Sequence, residues 1–287
     1  MIRIALVGVE SMHAARFAEL IASLEGKQRA RIVGIWDTNS QNAEKFVAQY
    51  APDAKIADSL GDLAECVDAA IITDRFGSRH FEQARPFLEC GMPVFVDKPL
   101  TASPGDAAAL VQLARERNAC VLSGSGCKFA GDTLALKQIA KKMICTDELH
   151  SGHLHYAADL KSPYDGFYFY ASHAVEMVLE IFGYDIKSVI AVEKAGNVTA
   201  IAGYNRFSVV LTFAPDQAVP VCFLIGGGKT ISWSMNISDI FANQLSCFLD
   251  MAESKKMPLS YEQLTLPVFV IDAILRSLAT GKEVTLS

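Results

Sequence analysis

Asp97-Lys98-Pro99 follows the apolar run Pro93–Val96. A strand there delivers Lys98 to the carboxyl edge of a sheet, where open α/β sheets bind ligands. A lysine partly desolvated beside an acid can move a proton at a substrate hydroxyl, whereas an ordinary loop lysine is merely solvated. A second stretch, Ile4–Val7, ends at Gly8 and is followed by Glu10 and His13. A dinucleotide fingerprint has glycines at these places, for a sharp turn, for approach of backbone to pyrophosphate and for close helix–strand packing. A carboxylate at Glu10 suits a helix N-terminus but repels a phosphate placed there. The turn therefore reads either as a cofactor site of altered chemistry or as a capped helix that binds no phosphate. Asp37 closes the run Arg31–Trp36. An acid there accepts from the adenine ribose and repels a 2′-phosphate, selecting NAD over NADP, and the alternative is a helix cap at Asp37 or Thr38.

The elements that must position these residues alternate in period. Strands are expected at Ile2–Val7, Arg31–Trp36, Ala69–Thr73, Pro93–Val96 and Cys120–Ser123, with helices over 11–24, 40–50, 79–90 and 104–118. Phe17, Leu20, Ile21 and Leu24 mark one apolar face of the first helix. Such alternation predicts βαβ units and a parallel, doubly wound sheet. Beyond about residue 125 the grammar changes. A helix over 134–143 precedes strand-like runs at 148–157, 188–194, 199–203, 207–213, 219–225 and 230–237, and helices at Asp239–Ser254 and Tyr261–Thr280 follow. The expected architecture is a Rossmann-type domain over 1–123 and an α+β domain over 124–287 with one broad, mostly antiparallel open sheet. Gly226-Gly227-Gly228 reads as a hairpin turn, since no helix follows it.

The order strand–Gly8–helix, Asp37 after the second strand, a loop from Thr73 to His80, and GMPVFVDKPL at 91–100 resembles the glucose–fructose oxidoreductase/inositol dehydrogenase/MocA (Gfo/Idh/MocA) family. Its members carry a Rossmann domain with a Glu-Lys-Pro motif, which Asp97-Lys98-Pro99 matches with the acid shortened. GFYFYASHAVEMVLEIFG at 166–183 resembles the family's D-x-G-x-H-x-x-D segment, with His173 on the histidine and Glu176 on the final acid. The resemblance implies catalysis by Lys98 and His173. It implies cofactor contacts at Gly8, Glu10, His13, Asp37, Thr73, His80, Asp97 and Lys98. It implies substrate contacts at Lys128, Tyr164, Tyr168, Tyr170 and Glu176. The sequence also departs from the pattern. The family's catalytic Asp falls on Phe169, its Gly falls on Ala171, and the later fingerprint glycines are gone. His173, placed at the start of a helix over 174–182, also reads as a structural hydrogen-bonder.

Bulk properties bound the function class. The chain has 287 residues, 51% hydrophobic and 20% charged, with a net charge of −6. A buried core is expected, and a nucleic-acid partner is not. No signal peptide and no continuous apolar run of membrane-spanning length is read, so a cytoplasmic protein is expected. Seven cysteines without CxxC pairs read as reduced thiols. No metal site is expected; His153 and His155 share a strand face but, with His80 and Asp159, lack a trusted ligand spacing. The resulting expectation is an NAD-dependent oxidoreductase of the 1.1.1 type, acting on a sugar, polyol or related hydroxy compound by hydride transfer. The alternative is a catalytically degenerate ligand-binding or regulatory protein on the same fold, and a weaker third reading is a lyase or hydrolase with tightly held NAD. The broad second sheet needs cover for its open face, so a homodimer or homotetramer is expected.

Overall fold

The structure, a computed structural model, describes residues 1–24, 29–215, 219–238 and 240–286. The chain forms two compact units, Met1–Ser123 with Phe241–Leu264, and Gly124–Ile240 with Thr265–Ser287.

The first unit is built from β1 (Ile2–Val7), α1 (Met12–Leu24), β2 (Ala30–Trp36), α2 (Ser40–Tyr50), β3 (Lys55–Ile56), α3 (Leu60–Ala64), β4 (Ala69–Ile72), α4 (His80–Glu89), β5 (Val94–Val96), α5 (Pro104–Glu116) and β6 (Val121–Ser123). Its strands pair in the order β3-β2-β1-β4-β5-β6, all parallel. Helices on both faces bury the central strands, so those strands are apolar throughout; Ile4–Val7 and Ala69–Ile72 have no exposure. The sequence misses β3 and α3 because both are short and β3 is solvent-exposed. Asn39 caps α2, in place of the expected Asp37 or Thr38.

The second unit contains α6 (Gly131–Cys145), β7 (Leu149–Ala157), α7 (Phe167–Phe182), β8 (Ser188–Lys194), β9 (Asn197–Gly203), β10 (Ser208–Ala214), β11 (Val221–Gly226) and β12 (Lys229–Ser234). Then come α8 (Ile240–Ser254), α9 (Tyr261–Thr280) and β13 (Val284–Thr285). The expected start of α8 at Asp239 lies outside the described residues. The sheet runs β12-β11-β7-β10-β9-β8-β13, and only β7–β10 is parallel among its described pairs. Gly227 and Gly228 make the two-residue turn between β11 and β12, with φ of 58° and 74°. One sheet face is buried, through Leu154, Val189, Ala200, Leu211 and Leu224. The opposite face leaves Ile190, Val192, Ile201 and Ile225 exposed.

Nothing in the sequence pattern marks the return of Phe241–Leu264 to the first unit, but aromatic packing explains it. Phe248 meets Phe95 at 6.0 Å between ring centroids, and Phe241 meets Phe17 at 5.8 Å and His13 at 4.8 Å. Burying one Phe side chain contributes about 3 kcal/mol. By length and composition α9 could cross a membrane. In this fold its Val268, Ile271 and Ile274 are core residues, and Asp272 and Arg276 interrupt its apolar run.

Candidate functional site

In the first unit the chain turns at Gly8, with φ of 75°. A Cβ there would lie 2.5 Å from the backbone nitrogen of Asp74, so only glycine fits this turn. Thr73 braces it, its Oγ1 donating to the carbonyls of Val7 at 3.1 Å and Gly8 at 3.0 Å. Ser11 Oγ accepts from the His13 N–H at 3.1 Å at the start of α1. Glu10 is exposed, and its N–H donates to Asp37 Oδ2 at 3.2 Å. Asp37 Oδ1 accepts from the Asn39 N–H at 2.9 Å and Asn42 Nδ2 at 3.3 Å. A carboxylate has about four lone-pair positions, so one on Oδ2 remains for a ligand hydroxyl.

His13 stands where a fingerprint glycine would be, and its ring has a task that glycine lacks. Its Nδ1 lies 2.6 Å from Asp97 Oδ2, in an ion pair whose Asp97 side chain is 4% exposed. Burial pushes the Asp97 carboxyl up, but His13 and Lys98 outweigh it and hold the group at about 2. Asp97 Oδ1 is buried and accepts no hydrogen bond among the described residues. An unfilled buried acceptor on the residue preceding Lys98 suits a ligand hydroxyl or amide. With the Gly8 turn and the open position on Asp37, it makes this residue set fit a dinucleotide. Lys98 is itself buried, just past β5, and its peptide bond to Pro99 is cis.

Two expected cofactor contacts take other roles here. His80 has no exposure, and its Nδ1 and Nε2 lie 2.7 Å from the Pro99 carbonyl and 2.8 Å from the Asp74 carbonyl. It ties the Lys98-Pro99 loop to the loop after β4 and presents no atom to a ligand. Thr73 is equally sealed, and its hydroxyl is used by the Gly8 turn.

In the second unit, a 3₁₀ turn over Gly126–Phe129 is capped by Ser125. The Ser125 N–H donates to Glu176 Oε2 at 2.9 Å, and Lys128 Nζ lies 3.2 Å from the same oxygen. Lys128 and Glu176 were expected to touch substrate. Instead they form a buried ion pair, their side chains 5% and 3% exposed, that fastens the turn to α7. Gly124, with φ of 139°, permits it, since a Cβ there would meet Glu176 Oε2 and Lys128 Nζ at about 2 Å.

His173 does not open a helix. It sits inside α7, which begins at Phe167, because the aromatic run Phe167–Tyr170 forms its first turn. Its Nδ1 is 2.6 Å from Ser125 Oγ and 3.7 Å from Cys127 Sγ, and the Tyr156 ring tilts over it at 5.3 Å. Burial, reinforced by Cys127, pushes the Tyr156 phenol far above its ordinary range. Tyr156, Asp159, Tyr170, His173, Pro215 and Ile237 help line a cavity of about 400 Å³. Of the expected tyrosines, Tyr170 is on this wall. Tyr168 is buried and raised to about 12 by burial and the Asp272 charge, and the Tyr164 ring packs at a tilt against Phe169, with centroids 4.9 Å apart. Sequence reasoning missed Ser125, Cys127 and Tyr156. Ser125 lies two residues past a strand end, a position to which the sheet-edge rule points, but Tyr156 had no such signal.

His153 Nε2 and His155 Nδ1 both reach the Thr212 hydroxyl, at 2.9 and 3.0 Å. Burial and the neighbouring His155 lower the His153 imidazole. Among the described residues no three His, Cys, Asp or Glu side chains are grouped to hold a metal ion.

Residues 2–125 match the model of the GFO_IDH_MocA family, described as an oxidoreductase family with an NAD-binding Rossmann fold. An inositol 2-dehydrogenase of Gluconacetobacter diazotrophicus is 33% identical over 112 residues, covering 38% of this chain and 33% of that protein. The chain thus spans about a third of the length of the inositol 2-dehydrogenases it matches. In fold, the chain is similar to apo scyllo-inositol dehydrogenase from Lactobacillus casei, with TM-score 0.85, 14% identity and coverage of 99% of this chain and 98% of that one. It is similar also to GenD2 from gentamicin A biosynthesis, solved in complex with NAD, with TM-score 0.83, 15% identity and coverage of 100% and 96%.

Proposed function

We propose, from the match of residues 2–125 to the model of the Gfo/Idh/MocA oxidoreductase family, that the protein is an NAD-dependent oxidoreductase interconverting a secondary hydroxyl of a polyol or sugar and its carbonyl. The observation that carries this reading is the burial of both Asp97 and Lys98 at the carboxyl end of β5, in a segment matched to NAD-binding Rossmann oxidoreductases. When bound, NAD supplies the acceptor or donor of hydride. The chain's residues do the rest. The bare Gly8 turn admits the dinucleotide backbone, and Asp37 accepts from the adenine ribose and disfavours a 2′-phosphate, giving NAD preference over NADP. Lys98 in its neutral amine form takes the hydroxyl proton in oxidation, becoming the ammonium, and the ammonium returns it in reduction. In the second unit, His173 and Tyr170 line a cavity with room for a hydroxylated ligand.

The test is stoichiometric. Protein is mixed with NAD and each member of a panel of inositols, sugars and sugar acids, and absorbance of the reduced nicotinamide is followed. Reduction with at least one polyol, lost in Lys98→Met, is the expected result. Failure of NAD to bind at all would overturn the reading. The Phe169 ring, packed against Tyr164 and Tyr170 where the family has a catalytic Asp, favours a second reading, a ligand-binding protein without turnover. Tight NAD binding with no reduction on any substrate would select it.

We also propose a cytoplasmic homodimer or homotetramer. The exposed Ile190, Val192, Ile201 and Ile225 on one sheet face form an uncovered apolar surface that a second copy would bury. Light scattering coupled to size exclusion tests it, with a monomeric mass as the contrary result.

A further inference from the structure

We infer that Ser125 sets the tautomer of His173, holding the imidazole proton on Nε2 so that the ring meets substrate as a hydrogen-bond donor and not as a base. This rests on the oxidoreductase reading for the identity of the substrate oxygen; the tautomer itself rests on geometry. Ser125 has no exposure. Its N–H donates to Glu176 Oε2 at 2.9 Å, its carbonyl accepts from the Lys128 N–H at 3.2 Å, and its Oγ accepts from the Cys127 N–H at 3.0 Å. Its own short turn and Glu176 therefore orient the hydroxyl before the histidine is considered. A buried hydroxyl proton needs an acceptor, and His173 Nδ1 lies 2.6 Å away. A neutral imidazole carries a single N–H, so a ring that accepts at Nδ1 is protonated at Nε2.

A carboxylate partner would do the reverse. It would accept from Nδ1–H and leave Nε2 as a base, the arrangement of acid–histidine pairs in general. Here Phe169 occupies the position of the family's acid and supplies no such partner. Groups near the ring include the Tyr156 phenol, the Cys127 thiol and Tyr170 on the cavity wall, and Lys128 and Glu176 form an ion pair with one another. A neutral Nε2–H ring can hold a substrate oxygen but cannot take its proton. Proton acceptance then falls to a group other than His173.

The test is ¹⁵N NMR on the full chain labelled at its six histidines, with the His173 signals identified by their loss in His173→Gln. At a pH above the ordinary imidazole range, the expected pattern is a protonated Nε2 and an unprotonated, hydrogen-bonded Nδ1. Ser125→Thr keeps the hydroxyl and should keep the pattern. Ser125→Ala should shift the Nδ1 signal toward that of an unbonded ring nitrogen and mix the tautomers, with turnover falling roughly five- to tenfold, the worth of one hydrogen bond. A protonated Nδ1 in the unaltered protein would overturn the proposal. So would an unchanged Nδ1 signal in Ser125→Ala. If the NMR pattern is as expected but no polyol reduces NAD, the tautomer assignment stands and the functional reading falls.

Discussion

Replacing Lys128 by Met tests whether the buried ion pair holds the turn that carries Ser125. Lys128 Nζ and Glu176 Oε2 are 3.2 Å apart, with both side chains at least 95% buried. At that separation and an effective dielectric of about 20, their attraction is about 5 kcal/mol. Desolvation offsets much of it while the pair is intact, yet removing one partner strands the other charge, at a cost of about 3–5 kcal/mol. Glu176 then retains the Ser125 N–H but not its counter-charge. The chain has only two tryptophans, Trp36 in the first unit and Trp233 in the second. In a Trp36→Phe background, Trp233 fluorescence during urea unfolding therefore follows the second unit. With a slope of about 2 kcal/mol per molar urea, the midpoint should fall by about 2 M. The double variant Lys128→Met/Glu176→Gln removes both charges and keeps an acceptor for Ser125. It should be more stable than Lys128→Met alone by at least about 1 kcal/mol, because no stranded charge remains. A midpoint that moves by less than about 0.5 M in Lys128→Met, or a double variant no more stable than the single, would refute the reasoning.

Asp97 should make the first unit acid-sensitive. Its folded pKa of about 2 lies below the ordinary 3.8, so its charged form contributes about 2 kcal/mol above pH 4, lost as pH falls toward 2. Trp36 fluorescence in a Trp233→Phe background should show this loss, and His13→Asn should move it to higher pH. Asp37→Ser should shift the ratio of NADP to NAD affinity toward NADP by roughly fivefold or more, from removal of about 1 kcal/mol of charge repulsion; paired fluorescence titrations read it directly. Gly8→Ala should destabilise the first unit, since φ of 75° is strained for Ala and its Cβ would meet the Asp74 backbone at 2.5 Å. A loss of at least about 2 kcal/mol in the same urea assay is expected from the strained backbone and overpacking together.

Local pattern was enough to specify the frame. Buried parallel strands must be apolar on both faces, so runs such as Ile4–Val7 and Ala69–Ile72 announce themselves and fix the parallel sheet. The same logic places Gly8, Asp37 and Lys98 at strand ends, where a sheet of this kind gathers ligands. Alternation likewise marks β10 and β11 as strands with one face covered. The partners of polar groups were not legible, because periodicity records which face is buried and not what lies across from it. His13 and Asp97 are 84 residues apart, and Ser125 and His173 are 48 apart. Their bonds exist only because separate elements bring them together. For the same reason Lys128 and Glu176 looked like open substrate contacts until folding desolvated both and left each as the other's counter-charge. His80 looked like a cofactor ligand until backbone carbonyls from two loops closed on its ring. Tertiary packing likewise drew Phe241 and Phe248 back against Phe17, His13 and Phe95, since an aromatic face is buried by whichever surface fits it.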